Sequence, residues 1–452
     1  MKIVIVGNGK LGFSLAERLS DEGHDIVIID NNETVISMAR NSLDVSCIHG
    51  NGLNQEVQTQ AGVPTADLLI AVTSTDEQNI LCCLLAKKLG AKHSIARVRE
   101  PDYAKSVMTL RDELNLSLAI NPEKEAATDI SRILRFPSAM KVDFFAKGRI
   151  EIVELKLPAD SPIIGHPLSK LSGLFKAQIL ICAVQRGDDV IIPNGDFVPQ
   201  EGDRISLTAA PNDISQLFRT LGLTSTKTRT AMIVGGGKIA YYLIRELLEA
   251  GIRVKVLDMD PKRCELLAER YPKATVLCGD GSDRETLKDE GAEEMDALVA
   301  LTGLDEENVV ISMYAGACKV PKVITKVNHI SFGEVLSKAG IECVITPHTI
   351  AADRIVRYVR AMQSSSGGSM LALSKIVGGK VEAIEFQVND DFKGKDLPLK
   401  NLRLQKNLLI VSIVRAGKII YPTGDDVIHT DDRVIVVTTV AGMDELNDIL
   451  AK

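Results

Sequence analysis

One pattern occurs twice in this chain at a fixed distance, and it decides what the chain can become. Ile3-Val4-Ile5-Val6 leads into Gly7-Asn8-Gly9-Lys10-Leu11-Gly12, and after a helical stretch Ile26-Val27-Ile28-Ile29 ends on Asp30. Ala231-Met232-Ile233-Val234 leads into Gly235-Gly236-Gly237-Lys238-Ile239-Ala240, and Val254-Lys255-Val256-Leu257 ends on Asp258. Gly7 and Gly235 stand 228 residues apart, and so do Asp30 and Asp258. The match continues past the acids. Gly50-Asn51-Gly52 answers to Gly279-Asp280-Gly281, and Val72-Thr73 answers to Leu301-Thr302. Asp76, Glu77 and Asn79 answer to Asp305, Glu306 and Asn308 at an offset of 229. Ile120-Asn121-Pro122 matches Ile345-Thr346-Pro347, and Gly202-Asp203-Arg204 matches Asp431-Asp432-Arg433. Unrelated segments do not keep such a register, so the chain is a tandem duplication.

Each part of the repeated pattern has a physical job. A continuous apolar run suits a strand covered on both faces. In the loop that follows, the first glycine permits a tight turn. The second lets the backbone approach a pyrophosphate, and the third lets the helix pack close to the strand. The helix N-terminus offers unpaired N–H groups and a positive dipole end to phosphates. A carboxylate at the end of the second strand, Asp30 or Asp258, can accept from ribose hydroxyls and repel a 2′-phosphate, favouring NAD or an unphosphorylated adenosine ribose over NADP. Ala240 replaces the third glycine, a substitution the pattern permits.

Within each half the periodicity changes midway. Residues 1 to about 120 alternate short apolar runs (3–6, 26–29, 45–48, 68–72, 93–98, 116–120) with amphipathic stretches such as 77–89. That predicts βαβ units and a Rossmann-like, doubly wound parallel sheet. Pro122 suits the first position of a helix running to about Leu134 and closed by Phe136-Pro137. From about Gly148 the period becomes two, predicting a small α+β domain with a short helix near 167–173 and a turn at Arg186-Gly187-Asp188-Asp189. The second half repeats this from Gly379 to Thr439. The fold class is therefore α/β: two Rossmann-like domains, at 1–135 and 229–362, each followed by a small α+β domain, at 140–222 and 370–452. Polar linkers are expected at 223–228 and 363–369.

Composition removes several function classes. A net charge of −7 gives a nucleic-acid partner no electrostatic footing. No apolar run approaches the roughly 20 residues of a membrane span, so direct membrane insertion is not expected. The chain opens straight into its first strand without a secretory signal, which predicts a cytosolic protein or one attached to a membrane through a partner. The 8 cysteines show no C-x-x-C spacing, so they read as buried thiols and no metal site is expected. The 7 histidines are scattered without a paired motif, and none is an obvious catalytic base.

The order of domains, the two glycine loops, the two acids, the Gly-Asx-Gly turns and the Thr-x-x-Asp-Glu-x-Asn stretches at 73–79 and 302–308 together resemble the RCK (KTN) family of regulators of potassium conductance. Within that family the tandem arrangement is similar to the cytosolic subunits of bacterial Trk potassium uptake systems. The resemblance covers essentially the whole chain. It implies a non-enzymatic regulatory subunit that binds NAD(H) or ATP/ADP, and that forms a homo-oligomeric ring. It also implies docking, as a peripheral protein, on the cytoplasmic side of a membrane-embedded partner of the TrkH or TrkG type.

Matched position by position, the resemblance implies that Gly7, Asn8, Gly9, Lys10, Leu11 and Gly12 hold phosphates and Asp30 the adenosine ribose. Thr73 and Ser74 would line the cleft. Thr73 also reads as a helix N-cap with Asp76 and Glu77 in the first turn, and the two roles can coexist. Asn51 stands where Asp280 supplies an acid in the second half. Arg97 and Arg99 would share one face of a strand and converge on terminal phosphate oxygens, or form a salt-bridged edge. Lys326 and Asn328 replace them, so the first site should prefer a triphosphate more than the second does. The second site would use Gly235, Gly236, Gly237, Lys238, Ile239, Asp258, Asp280 and Thr302.

Two rivals use the same fold. An NAD-dependent oxidoreductase would need a proton donor near the nicotinamide, and the small domains supply only His166 and His429, outside matching repeat positions. A soluble redox sensor would track the NADH to NAD ratio and ignore ATP.

Overall fold

The computed structural model describes residues 1–451 apart from 111–112, 115, 136–138, 146–149, 174–178, 210–217, 219–220, 222–227, 329–335, 337–338, 365–368, 441 and 444. The expected helix stop at Phe136-Pro137 lies outside the described residues, as do most of the two expected linkers. The chain forms two compact units, each built from both halves. Met1–Ser131 joins Arg229–Val356, and Arg132–Thr228 joins Arg357–Lys452.

The first unit holds two six-stranded parallel sheets with the same strand order, third, second, first, fourth, fifth, sixth. In the first half the strands are Lys2–Val6, Asp25–Asp30, Ser46–His49, Leu68–Ala71, His93–Arg97 and Leu118–Ile120. In the second they are Thr230–Val234, Arg253–Asp258, Thr275–Cys278, Ala297–Ala300, Lys322–Lys326 and Val344–Ile345. Past Lys2 and Thr230 at their starts, the central strands are apolar because helices cover both faces: Ile3, Val4 and Ile5 are fully buried, as are Leu68, Leu69 and Ile70. The strand order reverses between the first and fourth strands, and a crevice opens there at their carboxyl ends. Gly7 makes the turn into that crevice with φ +96°, and a Cβ on it would lie 2.9 Å from the Thr73 backbone. A Cβ on Gly12 would lie 1.9 Å from the Gly7 carbonyl oxygen. Both contacts explain why these positions carry glycine.

The two halves of this unit meet reciprocally. Arg18 and Glu246 hold the same position on the first helices, Lys10–Asp21 and Lys238–Glu249. Arg18 pairs with Asp353 on the helix Pro347–Ser364, and Glu246 accepts from Thr128 Oγ1 at 2.7 Å on the helix Pro122–Arg135. Thr128 and Asp353 are each six residues past the helix-opening proline. Such exchange of equivalent contacts is the signature of an approximate two-fold interface.

The second unit holds two five-stranded antiparallel sheets. The first comprises Lys141–Phe145, Ile150–Lys156, Ile179–Arg186, Asp189–Ile191 and Arg204–Ala209. The second comprises Met370–Ile376, Val381–Gln387, Leu408–Arg415, Lys418–Ile420 and Arg433–Thr438. The expected short helix is a 3₁₀ stretch at Leu168–Gly173. Period two begins earlier than at Gly148: Lys141–Phe145 pairs with Ile150–Lys156 as an edge strand whose Lys141 and Asp143 form an ion pair at 3.0 Å. Charged residues on an edge strand break up the apolar alternation that a sequence reading relies on. The sheets bury Phe145, Ile152 and Cys182 of the first half against Val381, Val411 and Ile435 of the second.

Burial pushes the Glu154 carboxyl above its ordinary value of 4.5, opposed by nearby Lys141. A carboxyl whose folded pKa is raised supports the fold at low pH and loses that support as pH rises through the folded value. Glu154→Gln should therefore melt above wild type at pH 8, with the gap closing as pH falls toward 4. Thermal melts across that range check it.

Candidate functional site

The crevice of the first half is a cleft of about 590 Å³, within the size range of small-molecule sites. It is lined by Gly7, Gly9, Lys10 and Leu11 of the loop, by Asp30 and Asn51, and by Thr73, Ser74 and Arg97. Asn8 and Gly12 are not among its lining: Asn8 is buried and Gly12 packs on the turn. The Asn8 backbone N–H donates to Asp30 Oδ2 at 2.6 Å, and the Asn32 N–H donates to Asp30 Oδ1 at 2.9 Å. The loop and the acid thus hold each other, and each carboxylate oxygen keeps acceptor capacity for a further partner.

The Thr-x-x-Asp-Glu-x-Asn stretch works differently from an N-cap. Thr75 occupies the N-cap position of the helix Asp76–Leu89, without a side-chain capping bond. Asn79 Oδ1 accepts from both the N–H and the hydroxyl of Thr73 at 2.7 Å, and its amide donates to the Arg97 carbonyl at 2.9 Å. Asp76 Oδ2 accepts from the Arg99 and Glu100 N–H groups at 2.8 and 2.7 Å. The N-cap expectation for Thr73 is thus corrected: the motif ties the end of the fourth strand to the end of the fifth. The second half repeats it, with Asn308 bonding Thr302 and Lys326, and Asp305 accepting from the Asn328 N–H at 2.8 Å.

Arg97 and Arg99 both line the first cleft, although the strand ends at Arg97 and Arg99 lies beyond it. Arg97 Nη2 donates to the Thr73 carbonyl, its Nε is buried without a hydrogen-bond partner, and Arg99 Nε bonds Glu123 at 2.7 Å. Burial, then the Arg99 charge, push the Arg97 guanidinium below its usual value. A buried cation facing a second one favours an anion between or beside them. The sequence reading missed the residues that come from the other half: Asn328, Pro347 and His348 also line this cleft.

The cleft of the second half, about 460 Å³, is lined by Gly235, Gly237, Asp258, Asp280, Thr302 and Lys326. Gly236 stands behind, its N–H donating to Asp258 Oδ2 at 2.6 Å. Ile239 is buried, and Lys238 is turned to Glu100 of the other half at 2.6 Å, so neither lines the cleft. Asp280 accepts from the Ser282 N–H and hydroxyl at 2.9 and 2.7 Å, as Asn51 accepts from the Leu53 N–H at 3.0 Å. The position thus closes a turn with or without a charge. Arg263, which the sequence reading did not single out, also lines this cleft and pairs with Asp258 at 2.9 Å.

Two dinucleotide-type folds, each followed by a small antiparallel domain, define the tandem RCK class of regulatory protein. The TrkA-N domain family matches residues 3–122 and 231–347, and the TrkA-C domain family matches residues 152–222 and 381–451. The chain belongs to the TrkA family of regulatory proteins of Trk potassium uptake, which is not an enzyme family.

A Trk system potassium uptake protein TrkA homolog 1 from Methanosarcina mazei is 31% identical over 99% of both chains. The TrkA of Azorhizobium caulinodans is 29% identical, covering 96% of this chain and 95% of that protein. Among solved structures, the GsuK channel bound to NAD superposes with a TM-score of 0.63 at 16% identity, over 97% of this chain and 76% of that one. At that identity the likeness speaks for the fold. Among the described residues no helix is long and apolar enough to cross a membrane.

Proposed function

We propose that this protein is a cytoplasmic nucleotide sensor of a Trk-type potassium uptake system. NAD(H) or ATP/ADP binds the first cleft, with Gly7 to Leu11 around the phosphates, Asp30 on the adenosine ribose, and Arg97 beside the terminal phosphate. The observation that carries this reading is that the cleft is lined by both halves, Asn328, Pro347 and His348 joining the glycine loop around it. A ligand that fills such a cleft interacts differently with each arrangement of the halves, and so biases their equilibrium. The bias passes, as a coupling free energy of about 1–3 kcal/mol, to a membrane-embedded partner of the TrkH or TrkG type, on which the protein sits as a peripheral subunit. Copies of the chain assemble into a closed ring, since a duplicated chain already carries two similar lobes. The solved GsuK structures, one bound to NAD and one to ADP, support the choice of ligand class.

The test is potassium flux through the membrane partner reconstituted in liposomes, with the full chain present and ATP, ADP, NAD or NADH added in turn. At least one nucleotide should change the flux severalfold, and only when the chain is present. Flux that ignores all four at millimolar concentration would overturn the proposal.

A further inference from the structure

The two clefts differ at the atom that matters most for an adenosine ribose. A carboxylate has about four lone-pair sites. In the first cleft two of them are used, by the N–H groups of Asn8 and Asn32. In the second cleft the equivalent backbone bonds come from Gly236 at 2.6 Å and Asp260 at 2.8 Å. Arg263 Nη1 then adds contacts to both oxygens of Asp258, at 3.0 and 2.9 Å. The arginine balances the charge of the carboxylate, and the four contacts occupy its acceptor sites.

The difference comes from one residue. Arg263 is the third residue of the helix Pro261–Arg270, and Val35 is the third residue of the equivalent helix Glu33–Ser42. Each lines its own cleft. Valine has nothing to offer Asp30, whereas the arginine reaches Asp258 and is steadied by Asp260 at 3.5 Å.

We infer that Arg263 closes the second cleft to the ribose diol of an adenosine nucleotide, so that this chain has one open nucleotide site and one latched one. The inference rests on the reading of the clefts as nucleotide sites and adds which of them is available. A ligand entering the second cleft must first break a charge-assisted pair that the first cleft lacks. The rival reading gives Arg263 to a 2′-phosphate, as an arginine beside the ribose does in NADP sites, against the repulsion of Asp258; NADP in the titration decides between the two.

The experiment is calorimetric titration of ADP, NAD and NADP into the full chain, as wild type, Arg263→Val, Asp30→Ala and the double variant. Arg263→Met is run alongside, because it keeps the length of the side chain without the charge, and valine already stands at this position in the first half. Wild type should take one equivalent of ADP or NAD, Asp30→Ala should bind about 10- to 150-fold more weakly, and the double variant should regain one equivalent at close to wild-type affinity. Arg263→Val should take two, with its second site at least tenfold tighter than in wild type.

Three results would overturn the inference. One is no gain from either Arg263 variant over its parent. Another is two equal sites in wild type. The third is an NADP site in wild type that Arg263→Val removes. A wild type that binds nothing while Arg263→Val gains a site would leave the latch standing and sink the nucleotide reading of the first cleft.

Discussion

Replacing Asp30 with alanine should cost the first cleft about 10- to 150-fold in affinity for an adenosine nucleotide. The figure follows from hydrogen bonds to a charged acceptor, worth about 1.5–3 kcal/mol. The Asp30 carboxylate keeps acceptor sites beyond those filled by the Asn8 and Asn32 N–H groups. Alanine removes those acceptors and also releases the loop that should cradle the phosphates. At a ligand concentration of about 100 Kd, binding stabilises the wild type by about 2.7 kcal/mol; a 100-fold weaker variant retains about 0.4 kcal/mol. Thermal shift with ATP, ADP, NAD and NADH separates the two effects. Loss of the loop's tether lowers the ligand-free melting temperature, whereas loss of the ribose acceptor erases the ligand-induced rise. A variant that keeps the full rise would mean that Asp30 does not touch the ligand.

The second large effect lies in the small domains. Asp203 and Asp432 are almost completely buried, with side chains 1% and 2% exposed. Each is held by a two-pronged arginine: Arg186 Nε and Nη2 reach Asp203 at 2.8 Å, and Arg415 reaches Asp432 at 2.9 and 2.8 Å. The carboxylates raise both guanidinium groups above their usual value. Removing the cation strands a buried negative charge, a change that costs about 3–5 kcal/mol where the pair is dry. The arginines are about a third exposed, so the lower end applies, about 3 kcal/mol for Arg415→Met and similarly for Arg186→Met. Urea unfolding followed by a probe in the small domains should show the lower midpoint. Adding Asp432→Asn to Arg415→Met should recover part of the loss, because the stranded charge is then gone.

What the sequence revealed depended on how local the cause was. The glycine loops, the acids and the parallel strands are written in contiguous residues, and the fixed register of the repeat confirmed each against its copy. The Thr73–Asn79 stretch was visible as a motif, but its partners are backbone groups near Arg97, 18 residues farther on. Its stapling role therefore could not be read from spacing, and an N-cap was the nearest local explanation. Asn328, Pro347 and His348 reach the first cleft only because the halves pack about an approximate two-fold, a tertiary fact with no local signature. Arg263 was within reach, since the repeat aligns it with Val35. The signal was a charge in one copy where the other has none, three residues past an N-cap and facing the same acid.

The central claim is that one nucleotide in the first cleft touches both halves of the chain, and amide hydrogen exchange tests it most directly. With saturating NADH or ATP, protection should rise in the loop from Gly7 to Leu11 and also at the start of the helix Pro347–Ser364 in the other half. Protection confined to the glycine loop, or absent from both places, would contradict the account.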